Sequence, residues 1–175
     1  MKRILLTLAG VSVLLFAACR KEAKLHQTGS LTVKLTDAPA AYDSVWVDIQ
    51  RVEIHLVSDQ DGGKWISVPT NSGVYDLLQL QNGIDTTLAD IDSLAEGKIT
   101  QMRLILGNNN SLYTNGSWEP MTVPSGSQSG IKLVGNIEVQ ANQNLVVKLD
   151  FDANQSVVLN GNGDYHLKPV IKVLD

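Results

Sequence analysis

The stretch SLTVKLTDAPAAYDSVWVDIQRVEIHL, Ser30–Leu56, indicates the fold class of this chain. In residues 31–36 every second residue is apolar, which is the period of a half-buried β-strand. Residues 45–49 repeat this pattern, and residues 52–56 carry it with the opposite parity. Because a shift of one residue turns the buried face of a strand over, we expect a β-bulge or a strand switch near Gln50–Arg51.

Outward from this stretch, the period of two continues in short segments that are separated by turn residues. VYDLLQLQNG, residues 74–83, predicts a strand that leads into a helical turn, whereas residues 88–94 fit either a strand or a helical turn. Asn115–Gly116 between two β-prone segments is typical of a two-residue hairpin turn. About nine or ten short strands without a helical stripe predict an all-β fold, a mostly antiparallel β-sandwich. We expect it to be a single domain over residues 29–175.

The N-terminus has the pattern of a bacterial lipoprotein leader. Two basic residues precede an uncharged, mainly apolar run, residues 4–18, which ends in two alanines before Cys19. The run is short for a membrane-spanning helix, which needs about 20 apolar residues. We therefore interpret residues 1–18 as a lipoprotein signal peptide, Cys19 as the lipidated residue and residues 19–28 as a tether. An ordinary signal peptide followed by a chance cysteine is the alternative.

This interpretation makes the membrane the first predicted partner. Acyl chains on Cys19 would hold the chain at the outer membrane or cell surface, because each buried methylene adds about 0.8 kcal/mol. Acidic residues outnumber basic ones, 18 to 14, and the charges are dispersed along the chain. Nucleic-acid binding needs a basic stripe, so we expect no nucleic-acid partner.

Several phrases together resemble a known bacterial family, the domain of unknown function numbered 4382. In chain order they are GSLTVKLTDAPAAYDSVWVDIQRVEIH, YDLLQLQNG, GKITQMRLILG, PSGSQSGIKL, LDFDANQSVV and YHLKPVIKV. The resemblance runs from Gly29 to about Val173. It implies a secreted or surface-anchored β-sandwich, transthyretin-like or carbohydrate-binding-like, of a kind common in lipoproteins of Bacteroidota. It implies no activity, ligand or catalytic residue, and a fold alone does not supply a function.

One loop has an unusual composition for a strand connection. VPSGSQSGIKL, residues 123–133, combines two glycines with the polar side chains of Ser125, Ser127, Gln128 and Ser129. Backbone amides in such a loop can hold an anion or a sugar hydroxyl, so we predict that these four residues contribute to ligand binding. The alternative is a flexible connection whose serines bond to their own backbone.

A second candidate lies in LDFDANQS, where Asp150, Asp152 and Asn154 occupy alternate positions. Oxygen ligands at this spacing suit Ca²⁺, so these three residues are a candidate metal site. However, Gln155 stands where a calcium loop of the EF-hand type has glycine. The preceding alternation also predicts that Asp150 and Asp152 face solvent, so a solvated strand face or local capping is the alternative. We expect no cofactor.

Aromatic residues provide the third candidate. Trp118 follows the predicted Asn115–Gly116 turn by two residues, which places it well for stacking on a sugar ring. Trp46 has the opposite parity to its apolar neighbours Val45 and Val47 and is therefore also expected on an outer face. The alternative is that each tryptophan covers the core or a sheet face.

These observations favour a non-catalytic binding module, anchored by lipid, for a glycan or a protein. The sequence contains no G-x-S-x-G elbow and no pair of histidines at zinc-ligand spacing, so we predict that the protein is not an enzyme. A structural subunit of a cell-surface assembly is the alternative. A glycan-active enzyme is a third hypothesis, which a deep pocket with converging carboxylates or histidines would favour.

Overall fold

The computed structural model describes residues 27–58, 62–124 and 130–174, and these residues form an all-β structure. The strands are β1 (Thr28–Thr36), β2 (Ser44–Val57), β3 (Lys64–Val68), β4 (Gly73–Asp76), β5 (Thr86–Ala95), β6 (Gly97–Leu106), β7 (Asn110–Thr114), β8 (Ser117–Thr122), β9 (Ile131–Val139), β10 (Asn144–Phe151), β11 (Val157–Leu159), β12 (Tyr165–Leu167) and β13 (Ile171–Leu174). A 3₁₀ turn, Leu77–Leu80, follows β4, and a single helical turn, α1 (Ala153–Ser156), follows β10.

The strands form two sheets. Sheet A has four strands in the order β13–β10–β1–β5, and sheet B contains the other nine, with the path β11–β12–β8–β7–β2–β6–β9 and with β3 and β4 paired to β2. The pairs β1–β10 and β8–β12 are parallel, and the others are antiparallel. The predicted all-β, mostly antiparallel sandwich is therefore confirmed.

The two sheets share one apolar core. Val33 and Leu149 from sheet A and Ile54 and Leu104 from sheet B have no exposed surface, and they belong to a single cluster of buried side chains. Burying a side chain of this size stabilises a fold by about 1.5–3 kcal/mol relative to leaving it exposed. The period of two in the sequence therefore corresponds to one face on the core and one face outside it.

The bulge predicted at Gln50–Arg51 is present in β2. Ile49 pairs with Leu106 and Arg51 pairs with Ile105, so that Gln50 is the extra residue on the bulged strand. The insertion turns the strand over, because Ile49 and Val52 are both fully buried although their spacing is odd. The parity change in the sequence was therefore the signature of this bulge.

Two local features are assigned by the structure and not by the sequence pattern. Residues 88–94, which fitted either a strand or a helical turn, lie in β5, whereas residues 74–83 form a strand and a 3₁₀ turn as predicted. The helical turn α1 was not predicted, because four residues are too few to show a helical period. Among the described residues, no helix is long and apolar enough to span a membrane.

Candidate functional site

Three aromatic side chains meet on the outer face of sheet B, and we call Trp46, Tyr113 and Trp118 the aromatic cluster. The ring centroids of Trp46 and Trp118 are 4.6 Å apart with the planes at 50°, and those of Tyr113 and Trp118 are 5.2 Å apart at 57°. The tryptophans are nevertheless 41% and 47% exposed. Trp118, a predicted site residue, is thus the centre of an exposed group of rings.

The β7–β8 hairpin positions Trp118. Asn115 and Gly116 both have positive φ, 52° and 81°, which a type I′ turn requires and which the Asn-Gly pair tolerates. The resulting register sets Trp118 directly opposite Tyr113. Side chains opposite each other in an antiparallel pair are about 5 Å apart at Cβ, so the turn itself brings these two rings into contact.

Small residues let Trp46 reach the same group from β2. Ser111 of β7 lies opposite Trp46, and Ser44 lies opposite Tyr113. A serine in each of these positions leaves room above the strands for the indole rings. The Ser44 hydroxyl is buried and has no hydrogen-bond partner within the described part of the chain. The cluster therefore combines exposed ring surface with an unsatisfied hydroxyl beside it.

A buried carboxylate supports this region, and the sequence did not reveal it. Asp48 is 2% exposed, although its neighbour Trp46 on the same face is open. One Asp48 oxygen accepts a hydrogen bond from the Asn109 N–H at 3.1 Å, and the other accepts one from the Gln50 amide. A side chain at Gly107 would collide with Asp48, since a Cβ there would lie 2.1 Å from Oδ2. This network secures the break between β6 and β7.

The third tryptophan lies apart from the cluster. Trp65 of β3 pairs with His55, nine residues along β2 from Trp46. The Arg103 guanidinium carbon stands 3.5 Å from the Trp65 ring centroid, and the same arginine faces Glu53 at 3.8 Å. One face of Trp65 is thus covered by a cation, which is a packing arrangement rather than an open surface.

The second set of candidates is the four polar residues of the loop before β9. Ser125, Ser127, Gln128 and Ser129 lie outside the described residues. The loop's described end, Gly130, has φ of 69° and approaches the side chains of Ile105 and Arg103 on β6. Ligand binding by the four loop residues therefore stays a prediction.

One of the three metal candidates differs from its expected exposure. Asp152 was expected to face solvent, and this is wrong, because it is 6% exposed. The chain leaves the strand after Phe151, and the Asp152 carboxylate caps α1 by accepting the Gln155 N–H at 2.9 Å and the Gln155 amide. Asn154 lies exposed on α1.

Metal binding by Asp150, Asp152 and Asn154 itself stays a prediction. Within residues 27–58, 62–124 and 130–174, no three His, Cys, Asp or Glu side chains are grouped so that they could hold a metal ion. Local capping, the alternative for this stretch, describes what Asp152 does in the structure.

A pocket of about 320 Å³ lies at the end of sheet A, and we call it the Asp37 pocket. Its lining includes Thr36, Asp37, Pro39, Gly83, Lys148 and Asp150. Asp37 is 4% exposed and accepts hydrogen bonds from the Ala153 N–H at 2.9 Å and the Gln81 amide at 3.0 Å. Burial is the main reason that the pKa of Asp37 rises to about 6, with smaller contributions from the charges of Asp150 and Asp152.

A family model described as "Domain of unknown function (DUF4382)" matches residues 28–169. The chain belongs to this family. The match covers most of the sandwich, including the aromatic cluster and the lining of the Asp37 pocket apart from Leu174. Neither a curated protein nor a solved structure matches the DUF4382 chain significantly.

Proposed function

We propose that this DUF4382 chain is a lipid-anchored, non-catalytic module that binds glycans through the aromatic cluster. The observation that carries the proposal is the contact between Trp46 and Trp118, two indoles that touch each other and yet each keep more than 40% of their surface exposed. Exposed contiguous apolar surface of this kind marks interaction sites. An indole offers a flat apolar face together with an N–H donor, and the apolar face of a pyranose ring stacks on it.

The size of the cluster favours a glycan over a protein. Three side chains form a patch far smaller than the roughly 800 Å² that each partner buries in a stable protein complex. The tilt of about 50° between the indoles makes an angled recess rather than a flat plate. Such a recess suits a single sugar ring.

In this proposal acyl chains on Cys19 hold the module at the outer membrane or cell surface, and the direction of β2 then decides where the aromatic cluster lies. Strand β1 begins at Thr28, which lies opposite Ala95 at the end of β5. Strand β6 follows β5 in the chain and starts beside Val57 of β2. The tether therefore enters at the Val57 end of β2. Trp46 lies eleven residues away along the same strand, roughly 35 Å from that end. An acylated Cys19 would thus leave the aromatic cluster pointing away from the membrane.

The Asp37 pocket has one property of a catalytic site, because two carboxylates converge in it. Glycoside hydrolysis needs two carboxyl groups that are free to act on the substrate. Both oxygens of Asp37 already accept hydrogen bonds from the protein, which leaves Asp150 as the free carboxylate of the pair. The pocket therefore fits binding better than hydrolysis, and glycan cleavage by the purified chain would contradict a non-catalytic module.

The proposal is tested by screening the full chain, purified in detergent, on a glycan array and then titrating the best ligand calorimetrically. We expect Trp118→Ala to weaken binding at least about tenfold, which corresponds to about 1.4 kcal/mol. Trp65→Ala is the matched control, since it removes an indole from the same sheet outside the cluster, and it should leave affinity within about twofold. Equal losses in both variants, or capture of an envelope protein with no glycan bound, would exclude the glycan site.

A further inference from the structure

The Asp37 pocket contains an unsatisfied acceptor. Asp150 Oδ1 is buried and receives no hydrogen bond from any described residue. Its strand neighbour across β1 is Thr36, whose hydroxyl is occupied by the carbonyls of Leu80 and Ile84 at 2.8 and 2.7 Å. A buried carboxylate oxygen without a donor is costly, so a ligand that brings a donor would be stabilised there.

The cation at the edge of the pocket does not supply this donor. Lys148 Nζ lies 2.7 Å from Asp85 Oδ2, and Lys34 Nζ lies 2.8 Å from Asp85 Oδ1. The Lys148 charge is therefore directed to Asp85, outside the pocket. Asp37, Asp150 and the neighbouring Asp152 leave the pocket rich in acceptors.

Part of the pocket lining is apolar. Leu174, which is 40% exposed, contributes to it together with Ala38 and Pro39. A ligand that fits both the acidic and the apolar lining carries a donor-rich cationic head on a short hydrocarbon stem, as a lysine side chain does. From this combination we infer that the Asp37 pocket binds a primary alkylammonium group, the chemistry shared by a lysine side chain of a partner peptide and by a free polyamine.

A divalent metal fits the pocket less well. Ca²⁺ takes six to eight oxygen ligands, and no three acidic, histidine or cysteine side chains are grouped for a metal within the described residues. A primary ammonium has three N–H donors and can bond to the Asp150 carboxylate, which lines the pocket, while it balances the charge of Asp37. This site is separate from the aromatic cluster, which lies on sheet B.

The test is a titration of the isotope-labelled full chain in detergent with cadaverine and with Nα-acetyl-lysinamide, followed by NMR. Both ligands should shift the amides of Asp37, Gly83 and Leu174. A preference for one of them identifies the source, free amine or peptide. The neutral analogue 1,5-pentanediol should bind at least about tenfold more weakly than cadaverine.

Asp150→Asn supplies the matched variant, because it keeps the shape of the side chain and removes its charge. We expect it to weaken cadaverine binding at least about tenfold, whereas Asp90→Asn on exposed β5 should have no effect. Unchanged binding in Asp150→Asn, equal binding of the diol, or a Ca²⁺ response at the same amides without an amine response would overturn the inference. The amide shifts of the wild-type chain decide the question if Asp150→Asn does not fold.

Binding should also depend on pH. Asp37 faces Asp150 and Asp152 from the end of β10, the Gln81 amide from the 3₁₀ turn, and Lys148 across the pocket. With its pKa at about 6, Asp37 is mostly ionised at pH 7.5 and mostly protonated at pH 5. Cadaverine should therefore bind up to about tenfold more weakly at pH 5. Tighter binding at the lower pH would contradict an ammonium site.

Discussion

The two outer faces of the sandwich differ, although both sheets contribute to the same apolar core. The outer face of sheet B carries the aromatic cluster, with Trp46 and Trp118 in contact. The outer face of sheet A presents Thr32, Lys34 and Lys148, together with the exposed valine Val146. The difference teaches that the inward residues maintain the fold, whereas the outward residues distinguish the face on which we propose that a ligand binds.

One aspartate near each outer face shows how the two faces differ in their contribution to the stability of the fold. Asp48 on sheet B is buried under the β6–β7 connection, where it accepts hydrogen bonds from Asn109 and Gln50. Asp85 beside sheet A lies between two lysines at the surface, and the hydrogen bonds from Lys148 and Lys34 lower its pKa. The Asp48 side chain is almost fully buried, whereas Asp85 is partly open to water, so we expect the fold to depend more on Asp48.

The largest effect that we expect comes from Asp48→Ala. The variant leaves the part-buried Asn109 N–H without its acceptor and opens a cavity at the buried Asp48 position, so the free energy of unfolding should fall by about 2–4 kcal/mol. Urea unfolding of the full chain measures this. Asp85→Ala, the same substitution on the other face, should be almost neutral, and a larger loss for Asp85→Ala would reverse the comparison.

A smaller effect is expected from protonation of Asp37. Because its folded pKa, about 6, lies above the usual 3.8, folding takes up a proton between these values, and stability rises as the pH falls from 7 to 5. Between pH 7 and pH 5 the gain should be on the order of 1 kcal/mol, and it should keep growing until the pH falls below 3.8. Chemical unfolding at the two pH values measures it.

Asp37→Asn should abolish this pH dependence, and Asp90→Asn should retain it. The lowered pKa of Asp85 changes stability with pH in the opposite direction, but only below the usual carboxyl range. It therefore does not affect the comparison above pH 5. Stability that falls between pH 7 and pH 5 in the wild type would contradict the assignment to Asp37.

The aromatic contact should be detectable as a coupling energy. In a double-mutant cycle on unfolding free energy, Trp46→Ala and Trp118→Ala should couple by about 0.5–1 kcal/mol, as expected for tilted rings in contact. Trp46→Ala with Val146→Ala, on opposite faces, should couple by less than about 0.3 kcal/mol. Equal coupling in both cycles would mean that the two indoles do not interact.

The smallest effect should come from the surface ion pairs of sheet A. Lys34→Ala leaves the ion pair between Lys148 and Asp85 in place, so Asp85 keeps one of its two cationic partners. We expect no measurable change in unfolding free energy at physiological salt, because exposed pairs are screened. A marked loss that disappears at high salt would show that the outer face of sheet A also contributes to stability.

Local patterns in the sequence were sufficient to predict the strands and some of their irregularities. The change of apolar parity predicted the bulge at Gln50, and the Asn115–Gly116 pair predicted the hairpin that sets Trp118 opposite Tyr113. These features are readable because parity and turn chemistry depend on residues that are neighbours in the chain. The burial of Asp152 was not readable, because one short helical turn changed its direction.

The sequence by itself determined that this chain is a sandwich of alternating strands with outward-facing tryptophans, because burial of every second side chain is written in a strand's own residues. Only the tertiary structure decided that Trp46 meets Trp118, that Asp37 meets Asp150, and that β1 pairs in parallel with β10. These partners are far apart in the chain. Which strands become neighbours depends on how both sheets close over a common core, and no single segment carries that information.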